Sequence, residues 1–479
     1  MFFNSIEYAI FLPIVFILYW FVFKKSYKIQ NILLVISSYF FYACWDWRFM
    51  FLLGFSTILD FVSGLQIAKV NSKLSKKIWL ILSVGINLGF LGVFKYYNFF
   101  VESFAELLAS FGLTAHFTTL NIILPVGISF YTFHGLSYVF DIYNDKIKPC
   151  HSWVNYSLFV SFFPLLVAGP IERATHLLPQ VEKARTFNYS KSIDGLRQIL
   201  WGLFKKVVIA DNCAILADNV FNNSDQYHGS SLILGAIFFT IQIYGDFSGY
   251  SDIALGSARL LGFELLKNFS FPYFSRDIAE FWRRWHISLS SWFKDYLYIP
   301  LGGSRGSMAQ TIRNTFIIFL VSGFWHGANW TFLMWGGLNA LFIMPSIIFK
   351  SNRRNLNVVA QGRMLPSITE VLQVASTFLL STFAWIFFRA ESIHHAFYFI
   401  KDIFTPELFS FPKMYSGQVL LLILLFFSVE WMGRENNYAI EKIGLKVKSS
   451  FLRWAFYYTI GILIFLYSGH HQAFIYFQF

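Results

Sequence analysis

The chain has 479 residues and a formal net charge of +12; 56% of its residues are hydrophobic and only 13% are charged. With a mean hydropathy of +0.52, this excludes an ordinary soluble domain, in which about a quarter of residues are charged. The basic residues punctuate apolar runs. The charge therefore speaks for membrane topology and for contact with anionic lipid or an anionic cytoplasmic substrate, not for nucleic acid.

From the amino end, nearly charge-free windows recur at Tyr8–Phe23, Phe49–Ala68 (one acid), Ile78–Phe94, Leu107–Phe140, Pro149–Ile171, Gln226–Gly245, Val371–Phe388, Met414–Val429 and Trp454–Phe479. One helical crossing takes ~20 residues. The windows predict an all-α polytopic membrane protein with about eleven transmembrane helices, plus re-entrant or interfacial pieces. The short alternating segments of a membrane barrel are absent. No basic region or small-residue cleavage site accompanies the first window, so it reads as a retained span. Lys24, Lys25 and Lys28 follow it, and Lys69, Lys73, Lys76 and Lys77 come one hairpin later. That places the amino terminus outside and the lysine loops in the cytoplasm. The polar run 172–197, with His176, Lys183, Arg185 and Lys191, breaks strict alternation. Either a preceding segment fails to cross or it re-enters; cytoplasmic placement with a re-entrant neighbour is the favoured expectation.

The stretch from Lys267 to Arg313 carries seven Lys or Arg against three acids. Within it Trp282, Trp285, Leu289, Trp292 and Tyr296 recur at helical spacing, and Glu280 stands one turn from Arg283 and Arg284. These predict one basic helix with an aromatic stripe lying in the membrane interface. His286, three residues from Arg283 and four from Ser290, shares their face, so an imidazole and a guanidinium stand side by side. A plain anchoring helix is the alternative.

Between Asn314 and Phe349 there are 36 residues without Asp, Glu, Lys or Arg, and His326 lies among them in Ser322-Gly-Phe-Trp-His-Gly-Ala-Asn-Trp330. One crossing cannot absorb that length, so the stretch bends, re-enters or forms two segments, and Gly323 and Gly327 mark the place. An ionisable group at membrane depth is costly, which makes His326 a candidate functional residue. The competing view is a histidine that merely bonds a neighbouring helix.

Other polar features are expected to be structural. Asp246 and Asp252, six residues apart, fall on different sides of a helix and make no shared two-carboxylate site; their hydrogen bonds could reach the basic helix. Glu430 is expected to be paired within the bundle or at an interface. Gly302-Gly-Ser-Arg-Gly306 lacks the residues of a phosphate loop and reads as a turn. Cys44, Cys150 and Cys213 are assigned to packing. The adjacent pairs His394-His395 and His470-His471 make no metal site.

Several runs resemble the membrane-bound O-acyltransferases, in the branch of bacterial alginate O-acetyltransferases, over most of the chain. They include Phe94-Lys-Tyr-Tyr-Asn-Phe-Phe100, Leu124-Pro-Val-Gly-Ile-Ser-Phe-Tyr-Thr-Phe133, Phe163-Pro-Leu-Leu-Val-Ala-Gly-Pro-Ile171 and Trp201-Gly-Leu-Phe-Lys-Lys206. More specific are Asp246-Phe-Ser-Gly-Tyr-Ser-Asp252, Glu280-Phe-Trp-Arg-Arg-Trp-His-Ile-Ser-Leu289, Asp295-Tyr-Leu-Tyr-Ile-Pro-Leu-Gly-Gly303 and Trp325-His326. The resemblance implies that His326 is the membrane-embedded histidine needed for acyl transfer and that His286 is the second histidine, on the cytoplasmic side of the same cavity. It implies helices around a central funnel, with the acyl donor entering from the cytoplasm and the acceptor from the other side. One departure is His134, where this branch is expected to carry Gln; it reads as polar packing.

Acyl transfer from a thioester needs a base, oxyanion stabilisation and exclusion of water. His326 suits the first, and membrane depth serves the last. Trp325, Asn329 and nearby Gly backbone are candidate oxyanion donors. Arg283 and Arg284, with His286, are candidates for binding the donor's phosphates. The expectation is a single membrane acyltransferase domain over 1–479: amino-terminal spans 1–120, catalytic core 121–350, carboxyl-terminal spans 351–479. It would sit in a bacterial inner membrane and move acetyl from acetyl-CoA, with no bound cofactor and no metal, toward an exported polysaccharide, with a separate exported acetyltransferase as partner. Alternatives are D-alanyl transfer to teichoic acid from a carrier protein and, in another class, a transporter, which the lack of an internal repeat disfavours.

Overall fold

A computed structural model of the chain describes residues 1–113, 118–120, 123–167, 169–469 and 472–477. Among the described residues the regular structure is helical throughout. This is what a backbone immersed in hydrocarbon requires, since a helix satisfies its own amide and carbonyl groups. Among the described residues six helices are long and apolar enough to cross a membrane, and Ile6–Val22 and Gly417–Gly433 are shorter apolar helices. The chain forms two compact units, Met1–Tyr189 with Ala258–Leu266, and Ser190–Ser257 with Lys267–Phe479.

The first unit holds α1 (Ile6–Ile17), α2 (Tyr27–Ala43), α3 (Trp47–Lys69), α4 (Lys73–Leu91), α5 (Tyr97–Ser110), α6 (Ile128–Tyr143), α7 (Trp153–Ser161), α8 (Phe163–Leu166) and α9 (Ala174–Val181). The Leu107–Phe140 window is not one helix, because α5 ends within it and α6 begins near its far end. Residues 114–117 and 121–122 of that window lie outside the described residues. The Pro149–Ile171 window also breaks, into α7 and α8. The nine residues of α7 rise only about 14 Å at 1.5 Å each, well short of a ~30 Å core. The window before the 172–197 run is thus two short helices and not one membrane-length span. Gly127 (φ +74°) begins α6, and a Cβ there would stand 2.1 Å from the Leu166 carbonyl oxygen, so only glycine allows α8 this close.

The first part of the polar run, residues 172–181, is folded in, while most of 182–191 is exposed. Glu172 is fully buried and accepts from the Leu266 amide at 2.5 Å and contacts His176 Nδ1 at 2.8 Å. Gln180 clamps Glu264 through its carbonyl and amide, both at 2.9 Å. His134 is buried in α6 beside the Phe159 ring at 5.9 Å, but among the described residues neither ring nitrogen has the hydrogen-bond partner that polar packing implies. Cys150 is buried too, but Cys44 is exposed, contrary to the packing assigned to it, because it caps the end of α2 at the surface.

The second unit holds α10 (Tyr189–Leu203), α11 (Asp211–Asn222), α12 (Ser230–Leu260), α13 (Ile278–Arg284), α14 (Ile287–Phe293), α15 (Met308–His326), α16 (Trp330–Ile348), α17 (Ile368–Arg389), α18 (Ile393–Ile403), α19 (Gly417–Gly433), α20 (Ile443–Lys446) and α21 (Ser450–Tyr467). Among the residues of α21 only Ile460 is buried, while Phe451 and Phe465 stand 80% and 78% exposed. So apolar a face is at home only against lipid.

The uncharged stretch forms two helices, as its length demanded. Helices α15 and α16 make a tight hairpin whose backbones touch at two glycines. A Cβ on Gly323 would lie 2.2 Å from the Phe332 carbonyl oxygen, and one on Gly336 would lie 2.3 Å from that of Phe319. Small residues at a helix contact are how membrane helices gain close packing. Gly336→Val should therefore push the hairpin apart at a cost of at least about 1–3 kcal/mol, read as loss of monodisperse protein after detergent extraction. Gly337→Val, whose Cβ would meet only Leu320 Cδ2 at 3.9 Å, should extract normally.

Candidate active site

His326 is the last residue of α15. Gly327 follows in extended conformation, and Asn329 caps α16 by accepting from the Thr331 amide at 3.0 Å. The cap ends one helix and starts the next within three residues, which fixes the imidazole at the hairpin's tip. The ring is 3% exposed. Around it lie Trp325, Trp335, Phe388 and Tyr476, with ring centroids at 4.8, 5.0, 5.4 and 5.6 Å. Behind Trp335 an aromatic wall continues through Trp385 and Trp285, at 5.5 and 5.1 Å. Such a cage excludes water and holds the imidazole in one orientation.

His286 differs from expectation. The sequence predicts one continuous helix through it, and the structure breaks the helix there: α13 stops at Arg284, α14 starts at Ile287, and His286 itself is left-handed with φ +42° and ψ 54°. The cause is tertiary. In an unbroken helix Arg284 O would accept from Ser288 N and Ile287 N would donate to Arg283 O. Instead the Ser270 amide donates to Arg284 O at 3.0 Å, and Ile287 N donates to Asn268 O at 2.9 Å. A non-glycine residue in this region stores ~1–3 kcal/mol of strain, and such strain concentrates at functional sites. The break also cancels the expected interfacial stripe, since Trp285, Leu289 and Trp292 are buried in the unit.

The same Asn268 fixes the ring. His286 Nδ1 lies 2.9 Å from Asn268 Oδ1, which also accepts from Ser288 Oγ at 3.0 Å, while Asn268 Nδ2 donates to Ser251 Oγ at 3.2 Å. With Oδ1 as acceptor, Nδ1 carries the hydrogen and Nε2 keeps its lone pair. Among the described residues no hydrogen-bond partner reaches Nε2. The His286 ring stands edge-on to Phe247 at 4.7 Å and 6.0 Å from the Trp325 ring. Trp325 thus has both imidazoles within 6.0 Å of its ring.

The other candidates are placed less centrally. Arg283 does not share a face with the His286 ring; its guanidinium donates to the carbonyls of Asn352 and Asn355 at 2.6 and 2.7 Å. Arg284 pairs with Glu280 at 2.8 Å and donates to Asn357 O at 3.0 Å. Together with Arg276, also bound to Glu280 and Asn357, they tie the 352–357 loop to α13. Asn329 spends its oxygen on the cap and donates Nδ2 to Glu391 O at 3.0 Å.

Three residues were missed from sequence: Asn268, Phe247 and Tyr476. Asn268 carries no local signal, because its partners lie 17 to 20 residues away. Tyr476 belongs to the Trp454–Phe479 window, read from hydropathy as one span. In the structure α21 ends at Tyr467, and Phe474 and Ile475 are buried in the unit; His470 and His471 lie outside the described residues. Asp246 and Asp252 are kept apart as expected, but they pair with Lys206 and Lys205 at 2.8 and 2.6 Å, not with the basic helix. Glu430 is held in the bundle by Trp201 Nε1 and the Tyr244 hydroxyl, at 3.1 and 2.6 Å. Residues 302–306 form a turn. Among the described residues there is no cluster of three metal-ligating side chains.

Comparison with known proteins bears on this geometry directly. The family model for the membrane-bound O-acyltransferases matches residues 145–389, which include both histidines. The chain is 39% identical over 442 residues to the probable alginate O-acetylase AlgI of Pseudomonas aeruginosa, covering 91% of this chain and 82% of that protein. It is 35% identical over 421 residues to the peptidoglycan O-acetyltransferase of Helicobacter pylori, covering 82% and 77%. It is 27% identical over 289 residues to the teichoic acid D-alanyltransferase of Bacillus subtilis, covering 57% and 71%. Two buried imidazoles beside one indole, among described residues that are helical throughout with membrane-length apolar helices, therefore sit in a chain that belongs to the membrane-bound O-acyltransferase family and is a membrane O-acyltransferase.

Proposed function

We propose that this enzyme moves an acetyl group from cytoplasmic acetyl-CoA across a bacterial inner membrane, for O-acetylation of an exported, alginate-like polysaccharide. The observation that carries the reading is that the buried rings of His286 and His326 both lie beside Trp325, at 6.0 and 4.8 Å. His326 is the general base: it takes the proton of the acceptor hydroxyl, whose oxygen attacks the thioester carbonyl. The new C–O bond forms, the C–S bond breaks, and the CoA sulfur leaves with the proton. The Trp325 indole N–H, beside the ring, serves the developing oxyanion. Asn329 acts by holding the hairpin turn that sets both. His286, with its Nε2 lone pair directed by Asn268, faces the donor side. Arg283 and Arg284 supply positive charge for the donor's phosphates at the surface of α13. A central funnel open to donor and acceptor on opposite sides belongs to the same reading, as does a separate exported acetyltransferase that completes transfer to the sugar.

Identity favours acetyl over D-alanyl transfer, 39% against 27%. The test supplies radiolabelled acetyl-CoA to inverted membrane vesicles, and in parallel D-alanyl carrier protein. Alkali-labile acetyl label on membrane material is the expected result. Label from the D-alanyl carrier alone would overturn the reading.

A further inference from the structure

Lys206, Asp211 and Asp246 take no part in the chemistry above, yet they form a deeply buried ion cluster of the second unit, with side chains 1% to 3% exposed. Lys205 and Lys206 lie in a π-helical turn, Phe204–Ala210, a rare geometry that recurs at functional sites. The turn aims the two adjacent lysines at two carboxylates of α12 six residues apart. Close approach is secured by Gly202 and Gly249, where a Cβ would fall 2.6 and 2.8 Å from the other's carbonyl oxygen.

Lys206 Nζ forms ion pairs with Asp211 Oδ1 at 2.7 Å and Asp246 Oδ1 at 2.8 Å, and donates to the Gln472 carbonyl at 3.0 Å. The second oxygen of Asp246 accepts from the Ile475 amide at 2.7 Å. The cluster thus grips the backbone of residues 472–475 at two points, which fixes register whatever the side chains are. Phe474, fully buried, then packs on Tyr250 at 4.4 Å. Tyr476 packs on Phe247 at 4.6 Å, with the rings of His326 and His286 at 5.6 and 6.5 Å. Burying two carboxylates and an ammonium is a poor way to gain stability compared with apolar packing, but it specifies position.

We propose that Lys206, Asp211 and Asp246 are positioning residues of the transfer reaction: they seat the 472–477 segment so that Tyr476 closes the cage beside both histidines. The kinetic consequence rests on the acetyl-transfer reading; the seating does not.

The decisive variant is Asp246→Asn. It is nearly isosteric and leaves Lys206 paired with Asp211, but its single carbonyl oxygen cannot serve both Lys206 and Ile475. In a Cys44→Ser background, Tyr476→Cys provides a thiol for N-ethylmaleimide. Asp246→Asn should raise its labelling rate by about tenfold or more, and without the Tyr476 change should lower kcat about tenfold while KM for acetyl-CoA stays within about threefold. Lys205→Met, which empties the neighbouring pair without touching the segment, should leave labelling unchanged. Should Asp246→Asn fail to fold, Lys206→Gln is read the same way. Unchanged labelling overturns the seating, and faster labelling with unchanged kcat overturns its role in transfer. Absence of acetyl transfer in the parent protein would sink the functional reading, while labelling would still decide the seating.

Discussion

His326→Gln should lower acetyl transfer by roughly 10²–10⁴-fold, the span a positioned general base contributes, while leaving the protein extractable and monodisperse. Glutamine is the informative substitution because it nearly fills the space enclosed by Trp325, Trp335, Phe388 and Tyr476 and still hydrogen-bonds, but it cannot take up a proton. Alanine would mix loss of the base with collapse of the cage. The measurement is transfer of labelled acetyl in vesicles at matched protein levels, with a pH–rate profile for the parent enzyme. The profile of the parent should fall on its acid limb as the base becomes protonated, and the residual rate of the variant should lack that limb. Should His326→Gln keep activity within a factor of about two of the parent, the ring is packing and the base lies elsewhere.

What could be read from sequence, and what could not, divides along range of interaction. Asn314–Phe349 announces a hairpin because its length exceeds one crossing and Gly327 offers a break, and both are local facts. The separation of Asp246 from Asp252 follows from helical period alone. Their partners do not, since Lys206 and Lys205 reach them only through a π turn and a glycine contact between helices. At His286 local propensity favours a continuous helix, and backbone bonds from residues 268–270 override it. The Trp454–Phe479 window shows the limit of hydropathy: a segment bound for a protein interior and one bound for lipid are equally apolar, and only the polar grip on Gln472 and Ile475 tells them apart.

The override at His286 makes Asn268 the second large effect. Its side-chain oxygen holds the Nδ1 hydrogen, and its backbone oxygen holds the Ile287 amide that keeps His286 left-handed. Asn268→Ala removes the first and keeps the second, so the chain should still break at His286 while the imidazole loses its fixed tautomer and direction. Loss of an orienting partner on a reactive histidine costs on the order of 10²-fold or more in kcat. Asn268→Asp, which keeps an acceptor for both His286 Nδ1 and Ser288 Oγ, should retain more activity than Asn268→Ala. The decisive comparison is a double-mutant cycle with His286→Ala. If Asn268 works through the ring, its removal adds little once the ring is gone, because paired effects are strongly non-additive. Two full and independent losses would mean that Asn268 supports the fold through Ser251 and Ser288, and that the lone pair on Nε2 is not used.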